Sequence, residues 1–248
     1  MSSNRHVRLG RVVRDLLFPP RCVGCGELLE PFSADDSVFC PLCRTAWEVS
    51  VGEAAGQAVE DAARGLIYLT YYHSGRTDGI PERLIYHVKH QGDPRVMDFV
   101  AARLAPRIRM AVAGLPKREG DCDGESALLF TYPPRRRAAV HRDGFDQASR
   151  LAQALAKACG GEYATLIRRP HRKSAEQKKL DAEQRADNAR RSYVLRKHAE
   201  KAVRGRVAVV CDDLCTTGAT LNRCAELLVE AGASLVILAT IARTGGKT

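Results

Sequence analysis

The stretch from Val207 to Leu221, VAVVCDDLCTTGATL, combines residue types that suit a phosphorylated ligand. Four apolar residues, Val207–Val210, predict a buried strand, and Asp212 and Asp213 follow at its carboxyl end. Small, hydroxylated and glycine residues then open a helix, whose unpaired backbone N–H groups and dipole favour a phosphate. Two carboxylates would repel a phosphate alone, but they can accept hydrogen bonds from the vicinal hydroxyls of a ribose 5-phosphate. The alternative is a tight strand-to-helix turn in which Asp and Thr act only as caps.

Four of the nine cysteines form two Cys-x2-Cys pairs, Cys22 with Cys25 and Cys40 with Cys43, separated by 14 residues. Two intervening residues let both thiolates of a tight turn face one point, so two such turns supply four ligands for a tetrahedral zinc ion. The alternatives are redox dithiols and disulfides, and disulfides are rare in a cytoplasmic protein. The spacing therefore predicts a closed, structural zinc site with no open position for chemistry.

Positive charge is concentrated in one part of the chain. The formal net charge is +10, and residues 168–206 hold 14 basic and 5 acidic side chains. Such a region implies an anionic partner, either a phosphorylated small molecule or nucleic acid, and the alternative is a solvated surface loop. Aromatic residues make up only 6% of the chain, and the candidates for stacking on bases are Tyr68, Tyr71, Tyr72 and Phe145.

The elements that must position these residues follow from apolar runs that alternate with segments of helical spacing. Strands are predicted at 65–72, 127–132, 163–167, 192–195, 206–211 and 234–239. Helices are predicted at 81–90, 94–104, 147–159 and 218–231, and Pro106 is expected to end or kink the second of them. Alternation of this kind predicts a parallel α/β sheet with helices on both faces.

Composition divides the chain into four predicted zones. Residues 1–17 form an amphipathic amino-terminal segment, 18–47 a four-cysteine zinc finger, 48–64 a linker or short helix, and 65–248 the α/β domain. A composition that is 45% hydrophobic and 27% charged is ordinary for a soluble globular protein. Apolar runs are too short for a membrane span or a signal peptide, so we expect a cytoplasmic protein.

The 207–221 segment resembles the motif by which type I phosphoribosyltransferases bind phosphoribosyl diphosphate (PRPP). Together with the cysteine pairs it resembles the competence-associated ComF family, whose further motifs occur here in the same order. They are Leu84-Ile85, Lys89 and Gly92-Asp93; Tyr132-Pro133-Pro134; Gly144-Phe145-Asp146-Gln147; and Gln177, Leu180, Arg185 and Asn188. The resemblance implies a type I phosphoribosyltransferase-like domain of parallel-sheet type preceded by a small zinc-ribbon finger.

The same resemblance implies transfer of ribosyl 5-phosphate from PRPP to a nitrogen nucleophile, with release of pyrophosphate and with Mg²⁺ bound alongside PRPP. Asp212 and Asp213 would be the catalytic carboxylates that hold the ribose hydroxyls. The residues implied at the 5-phosphate are Cys215, Thr216, Thr217, Gly218, Ala219 and Thr220. The residues implied at the pyrophosphate, in the turn at 133–137 and in a lid at 171–190, include Pro134, Arg135, Lys173 and Arg185. Lys89 falls in the segment that would form a hood over the site, and the sequence assigns it no role.

The alternative that the resemblance leaves open is a non-catalytic factor in DNA uptake that binds PRPP or single-stranded DNA. Its candidate partners are PRPP or a related phosphorylated ligand, single-stranded DNA and a competence helicase. One motif departs from the family, because Asp143 and Asp146 stand where the family has Arg and Asn. If the family Arg serves pyrophosphate, Arg142 is the residue that can replace it.

Overall fold

The computed structural model describes residues 19–29, 38–113, 128–170 and 192–245. The predicted amphipathic segment at 1–17 and the predicted lid at 171–190 lie outside these residues. The helices are α1 (Pro41–Ala63), α2 (Ile80–His90), α3 (Pro94–Ala113), α4 (Arg137–Asp143), α5 (Gln147–Cys159), α6 (Ala199–Val203) and α7 (Ala219–Glu230). The strands are β1 (Leu66–Ile67), β2 (Thr70–Tyr72), β3 (Leu128–Thr131), β4 (Glu162–Tyr163), β5 (Ile167–Arg168), β6 (Val194–Leu195), β7 (Val207–Cys215) and β8 (Leu235–Thr244).

The central strand of the main sheet is β7, which pairs in parallel with β3 on one side and with β8 on the other. Beyond β3 lies β4, and β1 and β2 pair in parallel with successive stretches of β8. The chain leaves β3 towards one edge and leaves β7 towards the other, so the strand order reverses between them. Open α/β sheets bind ligands in the crevice outside the carboxyl ends of the strands at such a reversal. The predicted parallel α/β fold is confirmed.

Helices cover both faces of the sheet because its strands are apolar on both faces. Val209 and Cys211 of β7 belong to the core that includes side chains of α2, α3 and α5. Ala208 and Val210 belong to the core that includes side chains of α7. Successive residues of a strand point to opposite faces, so a strand buried on both sides reads as the continuous apolar run seen at 207–210.

The segment that carries the cysteine pairs is packed into the core of the sheet. Phe39 and Trp47 stack with ring centroids 5.8 Å apart, and both contact the ring of Phe99 on α3, at 5.3 Å and 6.0 Å. These side chains belong to the same apolar cluster as Val209 and Ile237 in the centre of the sheet. The predicted boundary at residue 47 is therefore not a break in the hydrophobic core.

Residues 48–64, predicted as a linker or a short helix, are for the most part the continuation of α1. This 23-residue helix begins at the second cysteine pair and ends at Ala63. Its carboxyl-terminal half is held by packing, since Ala54 and Ala58 lie against the buried ring of Tyr68. Of the two alternatives predicted for this segment, the structure has the helix, which buried alanines hold against Tyr68.

Two element predictions differ from the structure in detail. The predicted strand at 65–72 is divided into β1 and β2. Pro106 does not end α3, which runs on to Ala113. Pro106 and Ala102 are both exposed, so water can reach the carbonyl that loses its helical hydrogen bond to the proline. None of the described helices is long and apolar enough to cross a membrane.

The shared core predicts that Trp47→Ala destabilises the whole protein. Trp47 is 2% exposed, and loss of a large buried aromatic costs about 3–5 kcal/mol of the free energy of unfolding. Val59→Ala, at a position of α1 that is 73% exposed, is the matched control and should change it by under about 0.5 kcal/mol. The measurement is urea denaturation followed by far-ultraviolet circular dichroism. An unchanged main transition in Trp47→Ala would show that the cysteine-bearing segment folds as a separate unit.

Candidate functional site

The four cysteines of the two Cys-x2-Cys pairs converge on one point. The Sγ atoms of Cys22, Cys25, Cys40 and Cys43 all lie within 4.8 Å of one another, and those of Cys25 and Cys40 are 3.7 Å apart. Four thiolates bound tetrahedrally at about 2.3 Å from a zinc ion would have their sulfurs about 3.8 Å apart. The donor set and its spacing therefore fit one structural zinc ion.

The backbone around the cysteines leaves no room for a side chain at Gly24. A Cβ at this position would lie 2.6 Å from Cys43 Sγ and 2.8 Å from a methyl carbon of Ile80, the first residue of α2. Arg83, one turn further along α2, donates a hydrogen bond from its guanidinium to the Gly24 carbonyl. The cysteine cluster is thereby fastened to the start of α2.

The predicted phosphate-binding segment forms the turn from β7 into α7. Thr216 and Thr217 are exposed, and Gly218 adopts the left-handed conformation, with φ of 74°, as the residue before the helix. Among the described residues no side chain caps Gly218, although Thr217 Oγ1 accepts a hydrogen bond from the N–H of Ala219 at 3.4 Å. Beyond Ala219, the backbone N–H groups in the first turn of this 12-residue helix have no acceptor within the helix and can donate to an anion.

Cys215 is buried beneath this turn. Burial raises the pKa of its thiol, which disfavours the reactive thiolate. The side chain therefore packs as a small apolar residue.

Asp212 and Asp213 lie at the carboxyl end of β7, beside the turn. Asp213 is 6% exposed, whereas Asp212 is partly exposed and its Oδ1 accepts a hydrogen bond from the N–H of Asp213 at 2.9 Å. Burial, and then the charge of Asp213, raise the pKa of Asp212 well above its ordinary value, and Asp146 adds to the effect. Carboxylates from the β7 end and from the turn after β3 therefore share one site, to which hydroxyl donors or a cation would be complementary.

Arg169 and Tyr193 form part of this site, although the sequence did not single them out as site residues. Arg169 donates a hydrogen bond to the carbonyl of Pro134 at 2.8 Å and lies over the ring of Tyr193, 4.4 Å from its centroid. Tyr193 is buried, and its hydroxyl accepts a hydrogen bond from the Arg169 guanidinium. The contacts join three separate parts of the chain, so spacing along the sequence could not predict them. The apolar neighbours of Tyr193 were the only sign that this side chain is buried.

The two acids that depart from the family motif, Asp143 at the end of α4 and Asp146 before α5, contact the turn after β3. Asp146 caps α5 by accepting from the N–H groups of Ala148 and Ser149, at 3.2 Å and 3.4 Å, and its second oxygen accepts from the N–H of Arg135 at 3.0 Å. An asparagine would offer one acceptor oxygen, whereas the aspartate offers two. The Arg135 N–H is therefore engaged within the protein, and its role towards pyrophosphate stays a prediction.

Asp143 faces the guanidinium groups of Arg142 and Arg135, at 2.8 Å and 2.7 Å. Hydrogen bonds from Arg142 and Arg135 lower the pKa of Asp143 to about 2. The acid consequently offsets positive charge on both arginines, including the one suggested as a replacement for the family Arg.

We define the β3–β7 crevice as the space bounded by residues 132–136 and 212–220.

Two further motifs of the sequence meet beside the β3–β7 crevice. Gly92 has φ of 59°, and a Cβ there would lie 3.0 Å from the ring of Phe145. Arg150 joins the same two residues, because it donates to the Gly92 carbonyl at 2.5 Å and its guanidinium lies 4.3 Å from the Phe145 ring centroid. The segment with Lys89 and Gly92 is therefore held against the Gly144–Gln147 motif.

Several predicted residues fall elsewhere. Lys173 and Arg185, predicted in the lid, lie outside the described residues. Tyr68 cannot stack on a base, because it is fully buried and donates to Asp61 at 3.0 Å. Phe145 is half-buried under Arg150, and the exposed aromatic side chain that the sequence analysis missed is Tyr86, on α2.

Comparison with known proteins agrees with this architecture. Residues 138–248 match the phosphoribosyl transferase domain family. DNA utilization protein YhgH of Salmonella typhi is 35% identical over 105 residues, which cover 42% of this chain and 44% of that protein. YhgH of Escherichia coli (strain K12) is 33% identical over 103 residues, with the same coverage of 42% and 44%. The chain thus spans under half the length of the curated relatives that it matches.

Two solved structures show weaker likeness. The allosteric regulatory enzyme of purine biosynthesis has 16% identity and a TM-score of 0.37, over 63% of this chain and 30% of that one. The protein TT1426 from Thermus thermophilus has 17% identity and a TM-score of 0.32, over 58% and 72%. Both values are low, so the fold assignment rests on the strand order and the domain match. The domain match and the similarity to YhgH support the resemblance to the ComF family, and each covers under half of this chain.

The geometry of the four-cysteine cluster predicts about one zinc ion per chain, measured by elemental analysis of protein purified without chelator. Cys43→Ser should lose the metal and, because Cys43 belongs to the main core, lower the melting temperature of the whole protein. Cys159→Ala, at a buried cysteine of α5 outside the cluster, should keep the metal and is the control. Zinc-free wild-type protein would contradict the assignment.

Proposed function

We propose that the β3–β7 crevice binds PRPP, with the 5-phosphate at the first turn of α7 and the ribose hydroxyls at Asp212 and Asp213. The observation that carries the proposal is the adjacency of the start of α7, where Gly218 supplies no side-chain cap, and two carboxylates at the reversal of strand order. A phosphate and a vicinal diol separated by one ribose ring require this combination of donors and acceptors. The domain match over residues 138–248 supports the same ligand.

In the reaction we propose, the bond between the anomeric carbon of the ribose and the pyrophosphate oxygen breaks, and both electrons leave with pyrophosphate. A nitrogen nucleophile forms the new bond to the anomeric carbon and then loses a proton to solvent or to a base. Mg²⁺ bound with PRPP would stabilise the negative charge of the leaving pyrophosphate. The chain itself holds the 5-phosphate and the hydroxyls, so that the anomeric carbon is presented at the mouth of the β3–β7 crevice.

The position of two arginines supports this placement of the leaving pyrophosphate. The turn after β3 supplies Arg135 and the exposed Arg136, which lie across the crevice from the phosphate turn of β7. Asp143 and Asp146 reduce the positive potential there by engaging the guanidinium and the N–H of Arg135. We therefore propose that Mg²⁺ carries a larger share of the pyrophosphate charge here than it would with the family Arg present.

The test is calorimetric titration of PRPP with Mg²⁺, of ribose 5-phosphate and of inorganic phosphate. Asp213→Asn should weaken PRPP and ribose 5-phosphate by about tenfold, or about 1.4 kcal/mol, and leave inorganic phosphate unchanged. Thr217→Val should weaken all three ligands, because its hydroxyl lies at the phosphate turn. Asp98→Asn, at an exposed position of α3, is the control. Equal losses for PRPP and inorganic phosphate in Asp213→Asn would overturn the assignment of roles.

Turnover is tested separately, by pyrophosphate release from PRPP and Mg²⁺ in the presence of each common nucleobase. Release above the rate without protein would support the transferase reaction, and it should be lost in Asp213→Asn. PRPP binding without release for any base would favour the non-catalytic alternative.

A second candidate function, binding of single-stranded nucleic acid, is favoured by an exposed aromatic pair on α2. Tyr86 is 58% exposed, and its ring centroid lies 4.7 Å from that of His90. An exposed ring of this kind can stack on any base, and neighbouring basic side chains attract the phosphates. The curated relatives carry the name DNA utilization protein.

Stacking predicts that Tyr86→Ala weakens single-stranded DNA binding by about 5- to 10-fold, measured by fluorescence anisotropy near physiological salt. Tyr86→Phe keeps the ring and should bind as the wild type does. Variants that neutralise basic residues between positions 168 and 206 should leave Arg169 unchanged. Its guanidinium donates to the Pro134 carbonyl, so its loss would disturb the turn after β3. Absence of wild-type binding at this salt concentration, or equal binding by the alanine variant, would leave the PRPP function alone.

A further inference from the structure

The last turn of α2 places a lysine against one carboxylate of the β3–β7 crevice. Lys89 Nζ lies 3.4 Å from Asp213 Oδ2, although the two residues are far apart in the sequence. The Asp213 side chain is 9% exposed and that of Lys89 is 33% exposed, so the pair is largely withdrawn from water. The cationic end of Lys89 therefore does not lie free on the surface, as a lysine on an exposed helix would.

Helix α2 has little freedom to carry Lys89 elsewhere. Its first turn is fixed twice, because Arg83 donates to the Gly24 carbonyl and Glu82 accepts a hydrogen bond from the N–H of His73 at 2.8 Å. Its inner face is buried through Leu84, Ile85 and Val88. Lys89 follows Val88 directly, at the point where this buried face approaches β7.

The Oδ2 atom of Asp213 has no hydrogen bond that could replace this contact within the described residues. This atom is buried, and the Lys89 ammonium lies close enough for an ion pair without hydrogen-bond geometry. Burial of an unpaired carboxylate is strongly unfavourable, and here a second carboxylate adjoins it at Asp212. Lys89 is the counter-ion that lets two neighbouring acids line a site for a polyanionic ligand.

We propose that Lys89 is a positioning residue that orients Asp213 as an acceptor for sugar hydroxyls. This inference rests on the proposed function, and it assigns the preference for ribosyl over 2-deoxyribosyl ligands to the Lys89–Asp213 pair. The ammonium of Lys89 offsets one negative charge of the two neighbouring carboxylates beside the ligand. Without it, Asp213 loses the cation that orients its carboxylate, and its uncompensated charge repels an anionic ligand.

The first experiment compares Lys89→Met, which keeps the length of the side chain, with Lys89→Arg, which keeps the charge. Calorimetry with ribose 5-phosphate, 2-deoxyribose 5-phosphate and inorganic phosphate should give at least a tenfold loss for ribose 5-phosphate in Lys89→Met. Its preference over the 2-deoxy sugar should disappear, with inorganic phosphate changed less than twofold. Lys89→Arg should regain most of the loss, and Lys157→Met, at an exposed position of α5, should match the wild type.

Equal losses for all three ligands, or an unchanged preference in Lys89→Met, would overturn the positioning role. Failure of the wild type to bind any sugar phosphate would instead reject the proposed function. A second measurement needs no ligand, because the melting temperatures of Lys89→Met, Asp213→Asn and the double variant form a cycle. Lys89→Met should melt lower than the wild type, and adding Asp213→Asn should recover part of the loss, since it removes the unpaired charge. Strictly additive shifts would show that the two side chains are not coupled.

Discussion

The rest of the structure depends on the parallel pairing of β7 with both β3 and β8. Parallel pairing places the carboxyl ends of all three strands on one edge of the sheet, so the turns that follow β3 and β7 must meet there. Because the chain turns outwards in opposite directions from these two strands, their loops separate and leave a crevice. A polar site can exist at this edge without disrupting the core, since Val209 and Val210, the buried residues that form the core, precede it on the same strand.

The cysteine cluster and the β3–β7 crevice share a structural support, which is helix α2. Its beginning lies against Gly24 of the cluster, and its end delivers Lys89 to Asp213. Aromatic packing of Phe39 and Trp47 on Phe99 ties the same cluster to α3. A metal site that looks like a separate finger in the sequence is thus one wall of the domain that carries the candidate ligand site.

The two acids that depart from the family motif, Asp143 and Asp146, set the electrostatics of the turn after β3. Asp146 caps α5 and accepts from the N–H of Arg135, and Asp143 holds the Arg135 and Arg142 guanidinium groups. These contacts fix the turn in one conformation. The contacts of Asp143 also neutralise guanidinium groups that an anionic leaving group would otherwise meet. The motif therefore keeps a structural function while its positive charge is reduced.

Short-range patterns in the sequence determined the α/β class, the helix at 147–159, the strand before Asp212, the glycine-containing turn after it and the four cysteine ligands. These features depend on residue spacing within a single element or turn, and that spacing is visible along the chain. Tertiary structure alone decided that Lys89 reaches Asp213, that Arg169 contacts both Tyr193 and the Pro134 carbonyl, and that Tyr68 is buried while Tyr86 is exposed. It also decided that α1 continues through 48–63, where buried alanines meet Tyr68. Each of these outcomes depends on which faces of distant elements come together. The periodicity within one element predicts which of its faces is buried, but it does not predict which element packs against that face.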